Sequence, residues 1–264
     1  MTHFEASRGI TVTRRDIRTG VRALHLSGRP LCVHASLRAF GWVEGGPSAV
    51  VESLLAEGCT VMVPTHSYAY HIAPPGGEPS PPRDAPVYTP ASQVLDRQYM
   101  GAIPYTVLQM PERLRGDHPL DSFTAVGPLA TELIASQTAQ EVYAPLRVLA
   151  GRGGWVLLMG VGLDKLTLLH LAEALAGRPM FQHWALGPDR RPLQVRIGGC
   201  SDGFVNLEPA LAPLSRACRV GASRWHAYPV RELLDAAADA IRADPWITHC
   251  GRPECEECNL AVSS

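Results

Sequence analysis

The chain has 264 residues, 46% of them hydrophobic and 19% charged, with a formal net charge of -1. A chain of this size buries a sizeable core, in one large domain or two closely joined ones. The near-zero charge excludes the basic footprint of a nucleic-acid binder, and no apolar run approaches the ~20 residues that span a bilayer. The opening MTHFEASRGITVTRRD lacks the long apolar core of a secretory signal, so the expected location is cytoplasmic. Seven cysteines, an odd number scattered except near the end, argue against a disulfide framework.

Thr13 to Ser27 predicts a helix: Thr13 with Asp16 forms a capping pair, Ile17, Val21 and Leu24 make one apolar face, and Gly28 stops it. A short buried strand, 30–36, follows. Gly45-Gly46-Pro47 opens a second helix through Glu57, and 59–63 is a second strand. This spacing predicts parallel strands joined by a crossover helix. Residues 67–95 hold seven prolines (74, 75, 79, 81, 82, 86 and 90) and no helical period. With Tyr68, Tyr70, His71 and Tyr88 they read as a lid or substrate-contacting loop rather than a tether. Next come a short helix broken by Pro104 (102–110), a strand (122–126), a helix (128–136), a strand (155–159) and a helix (165–176). Residues 181–197 alternate about a Gly-Pro-Asp turn as a β-hairpin, and 229–243 form a helix with one apolar face. The expected fold is α/β: a mixed, mainly parallel central sheet flanked by helices, with an added antiparallel hairpin. The expected boundaries are one α/β domain over 1–247 and a cysteine-rich tail over 248–264.

The stretch GGWVLLMGVGLDKLTLLHLAEALAG, 153–177, runs from a buried strand through a glycine turn into an apolar helix. Asp164 is the expected N-cap, and Thr167, His170 and Glu173 recur every three residues on a slow spiral. Leucines fill the rest of the helix, so its polar groups need partners or a function. A carboxylate one turn from an imidazole fixes its tautomer and favours the other nitrogen as a general base. Backbone N–H groups after Gly160 and Gly162 suit an oxyanion or a phosphate. The same pairing also satisfies a purely structural buried histidine. Lys165, the only lysine, reads as codon bias rather than a site.

Four segments in order carry a resemblance: LCVHASLRAFGWVEGGPSAVVESLL (31–55), VMVPTHS (61–67), RGDHPLDSFTAVGPLATEL (115–133) and WVLLMGVGLDKLTLLHLAE (155–173). Together they resemble the aminoglycoside 3-N-acetyltransferases, an antibiotic acetyltransferase family distinct from the common N-acetyltransferase fold. The resemblance implies direct transfer of acetyl from acetyl-coenzyme A to an amine. By the same resemblance His170 is the general base, Glu173 orients it, and Thr167 sits near the thioester oxygen. It implies coenzyme contacts at His34, Ala35, Ser36 and Leu37, with Ala35 standing where the family has a serine. Thr65, Ser67, His118, Ser122 and Phe123 are further family-like positions around the coenzyme or the active site.

The departures lie on the acceptor side. Tyr68, Tyr70 and Tyr105 stand where antibiotic-modifying members commonly carry acidic or amide residues. The expected acceptor is an amine of an aminoglycoside or related small molecule; aromatic walls and a Pro-rich loop suit a flatter or less charged acceptor, which keeps a non-aminoglycoside amine or biosynthetic intermediate as the alternative. Asp164 remains as an acceptor-side carboxylate, with Asp96, Asp117 and Asp121 as others. The chain is expected to act as a monomer or homodimer, without nucleic acid or membrane.

The tail His249-Cys250-Gly-Arg-Pro-Glu-Cys255-Glu-Glu-Cys258 lies outside that resemblance. Its thiol spacing reads as structural zinc, with Cys250, Cys255 and Cys258 as ligands. His249, a distant histidine or Cys218 is the expected fourth ligand. Cys32, Cys59, Cys200 and Cys218 read as small buried hydrophobes. Two rivals remain: a metal hydrolase built on His34, His66, His118 and His170, and a silent coenzyme-binding protein.

Overall fold

The structure, a computed structural model, describes residues 9, 11–76 and 82–263. Most of the opening segment read for a signal, and Pro79 and Pro81 of the proline-rich stretch, lie outside them.

A seven-stranded sheet runs through the centre. Its order is Arg216–Val220, Ser223–Pro229, Trp155–Met159, Pro30–Ala35, Thr60–Pro64, Phe123–Val126, Leu114–Arg115. Parallel pairing is confined to the three central strands, with Cys32 opposite Val156 and Met62. Both flanks are antiparallel, so the sheet is mixed rather than mainly parallel. The predicted hairpin forms a separate antiparallel sheet, Phe181–Leu186 with Pro192–Ile197, to which His71–Ile72 adds a third strand.

The pleat sorts the central residues into two cores. Leu31, Val33, Val61, Val63, Leu157 and Met159 face one side, under the helices Arg14–Ala23 and Gly46–Ala56. Cys32, Met62, Val156 and Leu158 face the other, under Ala144–Gly151, Leu168–Leu175 and Val230–Ala243. Period-two alternation on a sheet covered on both faces gives a three-layer α/β/α fold.

Several boundaries differ from expectation for local reasons. The first helix has the predicted Thr13–Asp16 capping box but ends at Ala23, ahead of Gly28. His25 takes a left-handed φ of 56° while the Leu26 N–H bonds the Val21 carbonyl, which closes the helix early. Pro104 does not break its helix. It sits in the first turn of Ala102–Gln109, where its missing N–H has no intrahelical acceptor to lose. The helix of the apolar stretch begins at Leu168, after a separate 3₁₀ turn over Leu163–Lys165. Its N-cap is therefore Thr167; Asp164 instead pairs with Lys165 at 2.9 Å.

The described part of the proline-rich stretch is docked against the body. Arg115, 5% exposed, donates to the carbonyls of Ser92 and Val94 from one side and to Thr65 O and Ser122 Oγ from the other. Tyr70 and Tyr88 are buried edge-to-face, 5.3 Å apart. Tyr70 bonds Ser92 and Tyr88 donates to the Gly116 carbonyl.

Candidate active site

All three parallel strands end on the same rim, at Ala35, Pro64 and Met159, and the loops that follow build a cleft there. Carboxyl ends of parallel strands are where open α/β sheets bind ligands. The cleft holds a cavity of about 680 Å³, in the range of small-molecule sites. The predicted run His34, Ala35, Ser36 and Leu37 lines it, and Thr167 closes one end. Three cations also line it: Arg38, Arg97 and Lys165. None of the three was expected there from the sequence. Lys165 did carry a signal, as the lone lysine two residues before Thr167.

One helical turn beyond Thr167, His170 Nδ1 lies 3.1 Å from Glu173 Oε2. A carboxylate only accepts, so Nδ1–H donates and Nε2 carries the free lone pair. Glu173 is itself held: Thr248 Oγ1 donates to its other oxygen at 2.8 Å, and the Arg178 guanidinium lies 3.7 Å from that atom. The imidazole is walled by Tyr143, stacked at 6.3 Å and 11°, and by Phe204, edge-on at 4.8 Å. Gly198 packs against the ring so closely that a Cβ there would fall 2.2 Å from His170 Cγ. The sequence placed Thr167, His170 and Glu173 correctly on one element but gave no hint of Thr248 or Gly198, which arrive from elsewhere in the chain.

The other family-like positions separate into two roles. Thr65 and Ser122 are fully buried and bond to each other and to Thr124 and Arg115. They tie neighbouring strands together and do not line the cavity. Phe123 is likewise buried, its N–H bonded to Gln137. His118 Nδ1 accepts the Asp121 N–H at 2.9 Å. Four buried polar atoms here have no hydrogen-bond partner among the described residues: His66 Nε2, Ser67 Oγ, His118 Nε2 and Asp121 Oδ1. His66 Nδ1 stands 3.5 Å from Asp121 Oδ1. Burial holds these imidazoles neutral: it pushes His118 down to about 4, and His34, with help from the His66 charge, to about 3. His66 is lowered by the same desolvation.

The acceptor-side expectations divide. Tyr68 is exposed, its N–H bonded to Asp96 at 2.8 Å, and its phenol is raised by burial and by the charges of Asp121, Glu257 and Asp96. Tyr70 faces the core, as described above. Tyr105 is half-buried beneath the Arg97 guanidinium, 4.3 Å from its ring centre. The unforeseen member is Glu257. It comes from the cysteine-rich tail, packs against Gly199 and lies close enough to His170 for the two charges to interact.

Cys250, Cys255 and Cys258 converge as expected, but the fourth sulfur is Cys200, with all four Sγ atoms within 4.8 Å of one another. His249 is not the fourth member: its Nε2 meets Asn259 at 3.1 Å and its Nδ1 accepts the Gly251 N–H at 3.0 Å. Cys218 lies in the Arg216–Val220 strand, against the Gly20 carbonyl. Cys200 is thus not a plain buried hydrophobe, whereas Cys32 and Cys59 are, their thiols pushed up to about 12 and about 11 mainly by burial. Among the described residues His34, His66, His118 and His170 form no converging ligand set.

The family profile described as aminoglycoside 3-N-acetyltransferase matches residues 32–242, most of the chain. The chain belongs to the aminoglycoside 3-N-acetyltransferase family. Among family members, aminoglycoside N(3)-acetyltransferase VIII of Streptomyces fradiae is 36% identical over 183 residues, 65% of this chain and 64% of that protein. The chain therefore aligns with slightly less than two-thirds of that relative's length. The solved apoenzyme of aminoglycoside acetyltransferase AAC(3)-IVa is 25% identical, covering 96% of this chain and 98% of that one at a TM-score of 0.79. A mutant of the same enzyme in complex with a gentamicin superposes at a TM-score of 0.78, is also 25% identical, and covers the same shares of the two chains. These relatives are acyltransferases by name, and the mixed α/β fold is common to them. Among the described residues no helix is long and apolar enough to cross a membrane.

Proposed function

We propose that this protein transfers the acetyl group of acetyl-coenzyme A to an amine of an aminoglycoside or a closely related polycationic small molecule, with His170 as general base. The observation that carries the reading is the Glu173–His170 pair one helical turn from Thr167, which lines a cation-lined cavity. In this reading the coenzyme occupies the cavity, with Arg38, Arg97 and Lys165 available to its phosphates. His170 Nε2 takes a proton from the acceptor nitrogen, whose lone pair attacks the thioester carbonyl carbon. The Thr167 hydroxyl, at the start of the helix, supports the oxyanion. The C–S bond breaks, the amide forms, and the coenzyme thiolate recovers the proton from His170. Glu173 stabilises the imidazolium between these steps. Transfer is direct: Cys32 and Cys59 are buried thiols well above neutrality and unsuited to a ping-pong step.

On the acceptor side, Asp96 accepts the Tyr68 N–H and the charges of Asp121 and Glu257 act on the same phenol, and carboxylates are what ammonium groups require. A gentamicin complex of a relative with the same fold supports the same acceptor class. Those carboxylates and that complex favour an aminoglycoside acceptor over the alternative of a non-aminoglycoside amine. The enzyme is proposed to act in the cytoplasm, where acetyl-coenzyme A and reduced thiols coexist, as a monomer or homodimer. The test is thiol release from acetyl-coenzyme A across gentamicin, apramycin, linear polyamines and aromatic amines. Turnover of the aminocyclitols is the expected result. Turnover of aromatic amines alone would overturn the acceptor, and no coenzyme binding by folded protein would overturn the transferase.

A further inference from the structure

We propose that Cys200, Cys250, Cys255 and Cys258 hold one structural zinc ion, and that this centre seats the C-terminal tail against the catalytic pair. Zn–S bonds of about 2.3 Å in a tetrahedron place sulfurs about 3.8 Å apart. The four Sγ atoms already lie within 4.8 Å of one another, so closure needs shifts of about 1 Å or less. All four cysteines are free thiols, and a four-sulfur tetrahedral set selects zinc among redox-inert metals. Three ligands come from one turn, which Gly251 allows through its φ of 80°. The fourth comes from fifty residues earlier in sequence, directly after Gly198 and Gly199.

The surroundings suit thiolates. The Cys250 N–H points to Cys258 Sγ at 3.5 Å, and Arg252 Nη2 lies 3.7 Å from Cys200 Sγ while pairing with Asp202 at 2.9 Å. Metal binding makes four Zn–S bonds and releases the thiol protons to solvent. The tail carries one short helix. Its helix, Glu256–Val262, has seven residues, too few to be stable alone. Yet it delivers two groups to the site. Thr248 bonds Glu173, and Glu257, between two of the cysteines, lies against Gly199 beside His170. The metal clips this tail to the Gly198–Cys200 segment that walls His170, so the centre and the catalytic imidazole share a support.

The test is elemental analysis of the full chain purified under reducing conditions, with thiols counted in parallel. Wild-type protein is expected to carry one equivalent of zinc, Cys218→Ser and His249→Ala to keep it, and Cys200→Ser to lose it. If Cys200→Ser fails to fold, cobalt(II) added to metal-stripped wild type serves instead, with intense tetrahedral d–d and thiolate charge-transfer bands expected. Folded, metal-free wild type with seven free thiols overturns the proposal. So do disulfides among these four cysteines, iron in place of zinc, or loss of metal from His249→Ala with retention in Cys200→Ser. The readout is independent of acetyl transfer, so its failure leaves the proposed activity standing.

Discussion

Replacing Gly198 by alanine is expected to disable the proposed general base while leaving His170 and Glu173 themselves unchanged. The added Cβ would lie 2.2 Å from His170 Cγ, 2.4 Å from Nδ1 and 2.7 Å from Cβ. Ordinary carbon contacts start near 3.4 Å, so the ring must retreat by about 1.2 Å. It has no room to do so. Tyr143 and Phe204 hold its faces, and Nδ1 is tied to Glu173. Gly198 is pinned as well, because its N–H donates to the Tyr143 hydroxyl at 2.8 Å. Its backbone lies outside the left-handed region, so alanine brings no conformational strain and the effect is steric alone. Misplacing a reacting group by about 1 Å lowers rates about 100-fold, equivalent to about 2.7 kcal/mol of transition-state stabilisation. Overpacking the same position lowers stability by about 1–3 kcal/mol. The assay is kcat/KM by thiol release, beside coenzyme titration and a thermal melt. Coenzyme affinity should hold, since the 33–38 wall of the cavity is formed by another strand and its loop. Gly151→Ala, where nothing lies within 4 Å of the new Cβ, is the neutral control. Folded Gly198→Ala retaining kcat/KM within about threefold would refute this account of how His170 is positioned.

Three further outcomes follow from the same structure. Glu173→Gln keeps the size of the side chain and its bond from Thr248 but turns an amide N–H₂ toward His170 Nδ1, which moves the ring proton to Nε2; kcat should fall about 10²–10⁴-fold with coenzyme affinity intact, and a loss below tenfold in steady-state kinetics would dismiss His170 as the base. His34, His66 and His118 are all lowered by burial, so between pH 6.5 and about 4 the unfolded chain binds protons that the folded chain refuses. Their contribution is complete above pH 6.5 and is lost as pH falls, at about 1.2–1.3 kcal/mol per pH unit near pH 5 for each of His34 and His118, with His66 adding in the same direction; urea melts at pH 7 and pH 5 check the slope, and a flat profile would count against buried neutral imidazoles. Arg115→Met removes four hydrogen bonds, two of them to the strap carbonyls of Ser92 and Val94, so the 82–95 strap should be cut faster in limited proteolysis and the fold weakened by about 3 kcal/mol; unchanged cleavage would show that the strap is held elsewhere.

What the sequence disclosed was whatever depends on local period and order. The central strands declared themselves as short apolar runs, and the hairpin by alternation about a turn. Thr13 and Asp16 form the capping box that their spacing announced. Where one residue was asked to settle a boundary, tertiary context overrode it. Gly28 came too late because His25 had already turned left-handed, and Pro104 was harmless because it fell in a first turn. The antiparallel flanks were illegible for a related reason. Pairing direction depends on how far the chain travels between strands, and the 65–122 excursion carries no period that records it.

The site divides along the same line. Thr167, His170 and Glu173 share one helix, so spacing alone assembled them. The surroundings that fix the His170 ring come from distant segments: Tyr143 and Phe204 beside it, Gly198 at its edge, Thr248 behind Glu173. The acceptor face shows the consequence most plainly. Judged from the residues next to PTHS it is aromatic, because Tyr68 and Tyr70 follow in sequence. In the fold, Tyr70 turns into the core, and Tyr68 bonds Asp96 through its N–H and feels the charges of Asp121 and of Glu257 from the tail. The charge of a binding site belongs to the surfaces that converge on it. Here one of those surfaces is the C-terminal tail, past the residues that the family profile matches, and Glu257 is the carboxylate it brings toward His170. Glu257→Gln should raise the KM for the aminocyclitol while leaving coenzyme affinity unchanged. A rise of less than about twofold would return the preference to Asp96 and Asp121.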